Sequence, residues 1–286
     1  TSRSFASHAS QSGERTRMRG IKDVGGQQLE LVKKIAQDPQ LRAELEKLHH
    51  LEQECEAVVE RLKDRKLTVK ERCAACQRLR VLIDMPDGVW LVQSFGGTEA
   101  LCELLRGGQS AEKKVASGVL ARLASEEECR STIANGGTLD SLCHMLKSGN
   151  HTVDDEARGN AALCIANLCA GPGYSTKVSD AGGILWIVKM LRGPTNEQRA
   201  AASLAVANLA VDPALCRLLA VHHTEPVKAL MNIIKEAPTS SAAEAASLAL
   251  RNLSVNDENK VTILEAAGIQ TALQLLGEKR QGQGRA

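Results

Sequence analysis

Apolar residues recur every three or four positions along residues 39–66, and this pattern predicts an amphipathic helix. Asp38-Pro39 opens the helix, because Asp is a good N-cap and Pro fits the first helical position. The apolar positions are Leu41, Leu45, Leu48, Leu51, Cys55, Val58 and Leu62. This stripe either packs on the part of the chain that follows or docks on a second protein. A shorter helix is predicted before it, over about 26–37.

From about residue 67 the chain repeats itself every 40 to 46 residues. A first marker is a turn before a short apolar helix, at Gly97, Gly137, Gly183, Glu225 and Gly268. A second marker is a small-residue helix that ends in Asn-Leu or Arg-Leu, with its last leucine at Leu123, Leu168, Leu209 and Leu253. The two independent markers agree on a period that is typical of helical solenoids with two or three helices per repeat.

These residues resemble the armadillo-repeat family in two features of each repeat. They are the Ala-x-x-x-x-Asn-Leu ending of the third helix and the Ala/Asn-Gly-Gly start of the second. The resemblance covers about residues 67–277 and implies an all-α fold, a right-handed armadillo-type superhelical solenoid. We predict full repeats at 88–125, 126–171, 172–212 and 213–256, capped by an isolated third helix at 69–84 and a truncated unit at 257–277.

The chain is expected to have four parts along its length. They are a basic Ser/Arg-rich extended arm at 1–25, N-terminal helices at 26–66, the solenoid at 67–280 and a flexible tail at 281–286. Residues 1–22 carry five basic residues against Glu14 alone, while the whole chain has a net charge of +2. The arm is either a disordered tail or a segment that orders only against a partner.

The Ser/Arg-rich composition of the arm resembles what remains near an organellar transit peptide after processing. We therefore expect an intracellular protein of the mitochondrion or another organelle, with the cytoplasm as the alternative. No stretch reaches the ~18 apolar residues that a membrane span needs, so no membrane insertion is expected.

Composition limits the chemistry further. With 286 residues, 43% of them hydrophobic, the chain can bury a sizeable core. It has only five aromatic residues, which leaves little for bases or sugars to stack on, so no nucleic-acid partner is expected. The nine cysteines lie at helical apolar positions, as expected for core residues in a reducing compartment.

Catalytic and metal-binding patterns are weak in this sequence. Cys73-Ala-Ala-Cys76 has ligand spacing but lacks a second pair of ligands, and a structural zinc site needs four. No Ser/His/Asp set, phosphate-binding loop or carboxylate pair stands in a convincing context. We therefore predict that the protein is not an enzyme and has no metal, cofactor or small-molecule substrate.

One position recurs in five successive third helices when they are aligned by their small residues. It holds Arg80, Arg122, Asn167, Asn208 and Asn252. An Asn amide has a donor and an acceptor, so a ladder of them can bond the backbone of an extended chain. In nuclear-import receptors, which the repeats resemble, this Asn has that role. The alternative is that each Asn caps local backbone groups and binds nothing.

Four residues before each ladder position, those receptors carry Trp residues that clamp lysine side chains. Here the positions hold Cys76, Gly118, Leu163, Leu204 and Leu248. Because the aromatic cage is missing, a receptor for nuclear-localisation signals is not expected. Leu163, Leu204 and Leu248 are nevertheless predicted to contact a partner together with the five ladder residues.

The resemblance implies a non-catalytic scaffold that binds a partner protein through the concave groove of the solenoid. The arginine rungs predict an acidic extended segment near Arg80 and Arg122, with less selective sequence along the asparagines. The alternative for these arginines is pairing with Glu71 or Glu126. The alternative function is an architectural accessory subunit of a large multiprotein complex, with the mitochondrion as its candidate location, anchored by the arm and N-terminal helices.

Overall fold

The computed structural model describes residues 38–147, 154–221 and 225–265. Within these ranges the regular structure is entirely α-helical, as predicted. The predicted arm, the helix at 26–37, the tail and the rear unit beyond residue 265 lie outside the described residues. The chain divides into two compact units, Thr1–Glu54 and Cys55–Ala286. The four-part domain division made from the sequence stays a prediction.

Helix α1 spans Pro39–Lys63 and so begins where the sequence predicts. The Asp38 carboxylate accepts hydrogen bonds from two backbone N–H groups of the first turn. In the first unit the stripe is exposed at Leu41, Leu45 and Leu48. In the second unit its continuation is buried at Cys55, Val58, Val59 and Leu62. The predicted apolar stripe is therefore covered only along its second half.

The second unit contains a capping helix followed by four three-helix repeats. The capping helix α2 spans Val69–Ile83. The first repeat has α3 Gly88–Ser94, α4 Gly97–Gly107 and α5 Ser110–Leu123. The second has α6 Glu127–Ala134, α7 Thr138–Met145 and α8 Asp155–Cys169. The third has α9 Tyr174–Asp180, α10 Gly183–Met190 and α11 Asn196–Leu209. The fourth has α12 Pro213–Val221, α13 Glu225–Glu236 and α14 Ser241–Leu253, and residues 257–265 are again helical.

The third helices and the capping helix form one layer, in which each helix packs against the next. We call α2, α5, α8, α11 and α14 the third-helix layer. A buried alanine occupies the same position in all five helices, at Ala75, Ala116, Ala161, Ala202 and Ala246. Because alanine is small, neighbouring helices approach closely, and a larger side chain there would cost about 1–3 kcal/mol through overpacking.

The Gly-Gly turns that mark the repeats serve two different needs. Gly182 has a φ of +71°, a conformation that L side chains rarely adopt. A Cβ on Gly183 would lie 2.9 Å from Cγ1 of Val178, which is too close for a real side chain. The first glycine therefore allows the chain to turn, and the second allows α10 to pack closely against α9.

Polar side chains cap the N-termini of the third helices. Asp154 Oδ1 accepts a hydrogen bond from Ala157 N at 2.7 Å, and Thr195 Oγ1 accepts one from Gln198 N at 3.2 Å. Such caps stabilise a helix by about 1 kcal/mol each, since they satisfy backbone N–H groups that have no partner within the helix. They also fix where each third helix begins.

Candidate partner-binding surface

The three predicted asparagines join neighbouring third helices. In each case Nδ2 donates to a backbone carbonyl of the preceding third helix, one residue before that helix's own ladder position. The pairs, each 2.8 Å apart, are Asn167 with Ala121, Asn208 with Ala166 and Asn252 with Ala207. One of the two amide protons of each asparagine is thus committed to holding the layer together, through a bond to the neighbouring helix rather than to a local backbone group.

The rest of each amide remains accessible. The three asparagines are only half-buried, and their Oδ1 atoms accept no hydrogen bond from a described residue. Because an amide oxygen has two lone pairs, it can still accept from the backbone N–H of a bound chain. The structural bond and the predicted partner contact are therefore compatible, and the partner contact stays a prediction.

The first ladder position is Val81 rather than Arg80. In α5, α8 and α11 the N-cap lies thirteen residues before the ladder residue, as with Asp154 and Asn167, and in α14 it lies twelve residues before. Burial fixes the register of α2, because its buried Ala75, Leu79 and Leu82 match the buried Ala161, Ile165 and Leu168 of α8, which places Val81 at the position of Asn167. The sequence alignment was wrong by one residue because α2 has alanine at both 74 and 75, so its small-residue pattern fits two registers. Arg80 is exposed and forms no ion pair with a described residue.

Arg122 occupies the next ladder position and is held by two carboxylates. Its Nε lies 3.2 Å from Oδ1 of Asp84, and its Nη1 lies 2.7 Å from Oε1 of Glu126. The hydrogen bond to Glu126, together with that to Asp84, raises the pKa of the Arg122 guanidinium. Of the two roles that the sequence left open for Arg122, the structure shows the pairing with Glu126.

The predicted leucines differ in exposure. Leu163 is 38% exposed, whereas Leu204 and Leu248 are half-buried. Leu163 and Leu204 line one depression of about 740 Å³ across α8, α11 and α14. Its apolar lining also includes Ala200, Ala201 and Ala245. We call it the α8–α11–α14 depression; Leu248 is not among its lining residues.

Carboxylates from the first turns of two helices also line this depression. They are Asp155, Glu156 and Glu197, and no Lys or Arg lines it. Glu156 is paired with Lys114 of α5 at 2.6 Å, and this hydrogen bond raises the pKa of the lysine. Glu197 forms no hydrogen bond or ion pair with a described residue. Asp155 lies 3.9 Å from Arg158 of its own helix, so the unpaired negative charge beside the apolar surface of the depression is that of Glu197.

This acidic lining was not predicted from the sequence, although a signal was present. Asp154-Asp155-Glu156 and Asn196-Glu197 begin two successive third helices, where acidic residues are favoured by the helix dipole. The repeat alignment indicates that these first turns lie side by side. The predicted site used only the ladder position near the C-terminal end of each third helix, so it did not include the acidic residues at the N-terminal ends of the same helices.

The described residues contain no group of three or more His, Cys, Asp or Glu side chains that could hold a metal ion. Eight cysteines are buried, as predicted, and Cys73 is half-buried. Burial raises the pKa of Cys102 to about 11 and that of Cys76 to about 12, so these thiols are protonated at neutral pH.

Solved structures with the same arrangement of helices identify the fold. A designed armadillo repeat protein is 23% identical, covers 77% of this chain and 91% of its own, and superimposes with a TM-score of 0.67. A second one, in complex with the peptide (KR)4, is 22% identical over 77% of this chain and 90% of its own, with a TM-score of 0.66. The fold is an armadillo-type helical solenoid.

An engineered protein from a structural genomics consortium is similar at a comparable level. It is 26% identical over 78% of this chain and 88% of its own, with a TM-score of 0.68. No model of a known protein family matches the chain. No curated protein matches it either. None of the described helices, which are α1 and those of the armadillo-type solenoid, is long and apolar enough to span a membrane.

Proposed function

We propose that the protein is a non-catalytic scaffold that binds an extended segment of a partner protein in the α8–α11–α14 depression. The observation that carries the proposal is that three successive third helices line one continuous depression. Leu163 and Leu204 occupy equivalent positions in neighbouring helices, so the apolar surface repeats from one unit to the next. A repeating surface suits an extended chain, which presents side chains at regular intervals.

The half-exposed asparagines support an extended ligand rather than a helical one. An extended segment leaves its backbone N–H and C=O groups without internal partners, whereas a helix satisfies its own. The Oδ1 atoms of Asn167 and Asn208 accept no hydrogen bond from a described residue. They are therefore suited to accept from such a backbone while their Nδ2 groups keep the helices together.

The charges favour a basic segment over the acidic one that the arginines predicted. Arg122 is already paired with Asp84 and Glu126, so it adds little positive potential. The depression itself is lined by three carboxylates. The armadillo-type neighbour in complex with the peptide (KR)4 supports the same choice of ligand charge. We therefore propose a ligand with lysine or arginine beside Glu197 and small apolar side chains against Leu163.

Binding of two model peptides tests this proposal. The probes are fluorescein-labelled octapeptides of alternating Lys and Ala, or of alternating Glu and Ala, measured by anisotropy at low and high salt. The lysine peptide should bind more tightly and should lose affinity as salt is raised. Glu197→Lys should weaken its binding about three- to tenfold, since it replaces an attraction by a repulsion.

Two further variants separate the depression from a general effect of charge. Leu163→Ser removes apolar contact at an exposed position and should weaken binding of the lysine peptide without altering its salt dependence. Glu99→Lys changes an exposed carboxylate on α4 and serves as the matched control. Equal binding of the two peptides, or equal effects of Glu197→Lys and Glu99→Lys, would contradict the proposal.

The second candidate function is an architectural subunit of a large complex, in the mitochondrion or another organelle. The observation that favours it is the exposure of Leu41, Leu45 and Leu48 on one side of α1. Exposed leucines at helical spacing are typical of surfaces that pack against another protein. Blue-native electrophoresis of the source material is the test: an architectural subunit migrates with its complex, and a free scaffold migrates as a monomer.

A further inference from the structure

Trp90 is the one exposed aromatic side chain among the described residues. It lies on α3, and its relative exposure is 65%. The corresponding positions of the next two repeats hold Ser131 and Thr176, which are polar. Burying a tryptophan stabilises a protein, so an indole left in water at a position where the other repeats have hydroxyl groups calls for a physical reason.

Two other rings in the solenoid, those of Tyr174 and Trp186, each carry a lysine from their own helix. Lys177 Nζ lies 5.5 Å from the centre of the Tyr174 ring, and Lys189 Nζ lies 4.4 Å from that of Trp186. In both pairs the lysine follows the ring by three residues, so it lies on the same face of the helix. The residue in that place after Trp90 is Gln93. Its amide instead donates to the backbone carbonyl of Glu128 at 3.0 Å.

The surroundings of Trp90 are acidic. A cavity of about 500 Å³ beside it is lined by four carboxylates and one guanidinium, those of Asp84, Asp87, Glu126, Glu128 and Arg122. Arg122 pairs with two of the carboxylates. The side-chain carboxylates of Asp87 and Glu128 form no hydrogen bond or ion pair with a described residue. The ring therefore lies beside negative charge that the neighbouring side chains leave uncompensated.

Backbone geometry fixes one of these carboxylates near the ring. Asp87 has a φ of +59° and is the only non-glycine residue with positive φ in the described part of the chain. It is followed by Gly88, where a Cβ would collide with the carbonyl group of Leu82. The turn is thus held against the end of α2. Asp87 and Trp90 line the same cavity.

We infer that Trp90 and this cavity form a docking site for a lysine or arginine side chain of a partner protein. The indole face attracts a cation through its quadrupole, and Asp87 and Glu128 supply the opposite charge. Met85, Val89 and Pro86 line the same cavity and contact the aliphatic stem of the incoming side chain. The site lies on the first repeat, apart from the α8–α11–α14 depression, and does not depend on peptide binding there.

Fluorescence of Trp90 tests the inference directly. The chain has two tryptophans, so Trp186→Phe leaves Trp90 as the only indole. The probes are N-acetyl hexalysine amide and the same peptide with every lysine Nε-acetylated, which removes the cation and keeps the chain. Hexalysine should change the Trp90 emission in a saturable way at low salt, and the acetylated peptide should leave it unchanged.

Neutralising substitutions then locate the charge. Asp87→Asn keeps a residue that tolerates positive φ, so it removes the charge without straining the turn. Asp87→Asn and Glu128→Gln should each weaken the hexalysine response about two- to fivefold. Glu99→Gln, an exposed carboxylate on α4, is the control and should leave the response unchanged.

Three outcomes would overturn the inference. The first is a fluorescence change of the same size with the acetylated peptide. The second is the same affinity in Asp87→Asn, Glu128→Gln and Glu99→Gln. The third is loss of the Trp90 response in Glu197→Lys, because that would place the binding event in the α8–α11–α14 depression. If Glu197→Lys leaves the response intact while octapeptide binding is lost, the two sites are independent.

Discussion

The first interface of the third-helix layer, between α2 and α5, is joined by ion pairs, whereas each later interface contains an asparagine amide contact, accompanied between α5 and α8 by the ion pair of Lys114 with Glu156. Across the first, Nε of Arg72 donates to Glu112 and Nε of Arg122 donates to Asp84. Across each later interface an asparagine donates to an alanine carbonyl at 2.8 Å. The same helix packing thus accepts two kinds of polar contact.

One buried position shows why the two kinds differ. Glu112 and Gln198 lie ten residues before the ladder residues Arg122 and Asn208, and both side chains are buried. Gln198 Nε2 donates to the backbone carbonyl of Asp155 at 2.8 Å. A neutral amide needs only such a carbonyl, but a buried carboxylate needs a positive partner. That partner is Arg72.

Equivalent positions in different repeats are therefore buried in the same way, although the side chains that occupy them can differ in charge. Any polar side chain buried at this position must find a partner on the preceding helix. Which partner it finds decides whether the contact responds to salt. The ion pairs should weaken as salt is raised, and the amide contacts should not change.

Breaking the buried ion pair should have the largest effect. Glu112→Ala leaves the Arg72 guanidinium, whose side chain is 17% exposed, without its carboxylate. We expect the free energy of unfolding to fall by about 3–5 kcal/mol, because an unpaired buried charge is costly. Urea unfolding followed by circular dichroism measures the change.

The double variant Arg72→Leu with Glu112→Leu is the control for this prediction. It removes both charges and should recover much of the lost stability. Gln198→Ala, at the equivalent position of the amide interface, should cost less, about 1–3 kcal/mol. If Glu112→Ala and Gln198→Ala cost the same, the distinction between the two interfaces does not hold.

Removing one asparagine contact should have an intermediate effect. Asn208→Ala leaves the carbonyl of Ala166 without its side-chain donor, and we expect a loss of about 1–2 kcal/mol that is the same at low and high salt. Asn196→Ala is the control, since Asn196 makes only an exposed 3.4 Å contact with Ser241 and should change stability by less than about 0.5 kcal/mol. A loss at Asn208 that varies with salt would show that charge contributes there.

The smallest effect is expected at the surface pairs of Arg122. The hydrogen bond from Arg122 holds the pKa of Glu126 below its ordinary value of 4.5. This stabilisation is therefore present above about pH 4.5 and is lost as pH falls through the lowered pKa. Because both side chains are more than one-third exposed, the contribution is below about 1 kcal/mol.

Unfolding of wild type and Glu126→Gln at a series of pH values checks this contribution. The variant should be slightly less stable at pH 7, and the difference should shrink below about pH 4. High salt should also reduce it. A difference that persists unchanged at low pH would assign the effect to packing rather than to the charge of Glu126.

Much of the fold could be predicted from the sequence, because repetition supplies several independent measurements of one pattern. The third repeat shows how closely the predicted and observed positions agree. It was predicted at 172–212, and the structure has its three helices within that range, at Tyr174–Asp180, Gly183–Met190 and Asn196–Leu209. The capping helix α2 was harder to align, because it lacks the Asn-Leu ending and has alanine at both candidate registers. Because of that ambiguity, the sequence alignment placed Arg80 at the first ladder position instead of Val81.

The candidate sites depended on information that a linear pattern does not contain. The acidic residues of α8 and α11 are visible in the sequence, but only the stacking of helices combines them with Leu163 and Leu204 in one depression. Trp90 also fits the apolar pattern of α3, so the sequence alone is compatible with a buried position for it. Its exposure is decided by the neighbouring elements, which leave that side of the helix uncovered.

The sequence by itself determined the helical period, the boundaries of the repeats and the burial of the small residues, since these follow from local spacing and side-chain size. Only the tertiary structure decided how the polar groups are paired. Asp84 and Arg122 are 38 residues apart in the sequence, which is too far for the spacing within one helix to relate them. Coulomb attraction and hydrogen bonding act over a few ångströms in space, so their partners are set by the packing of helices and not by distance along the chain.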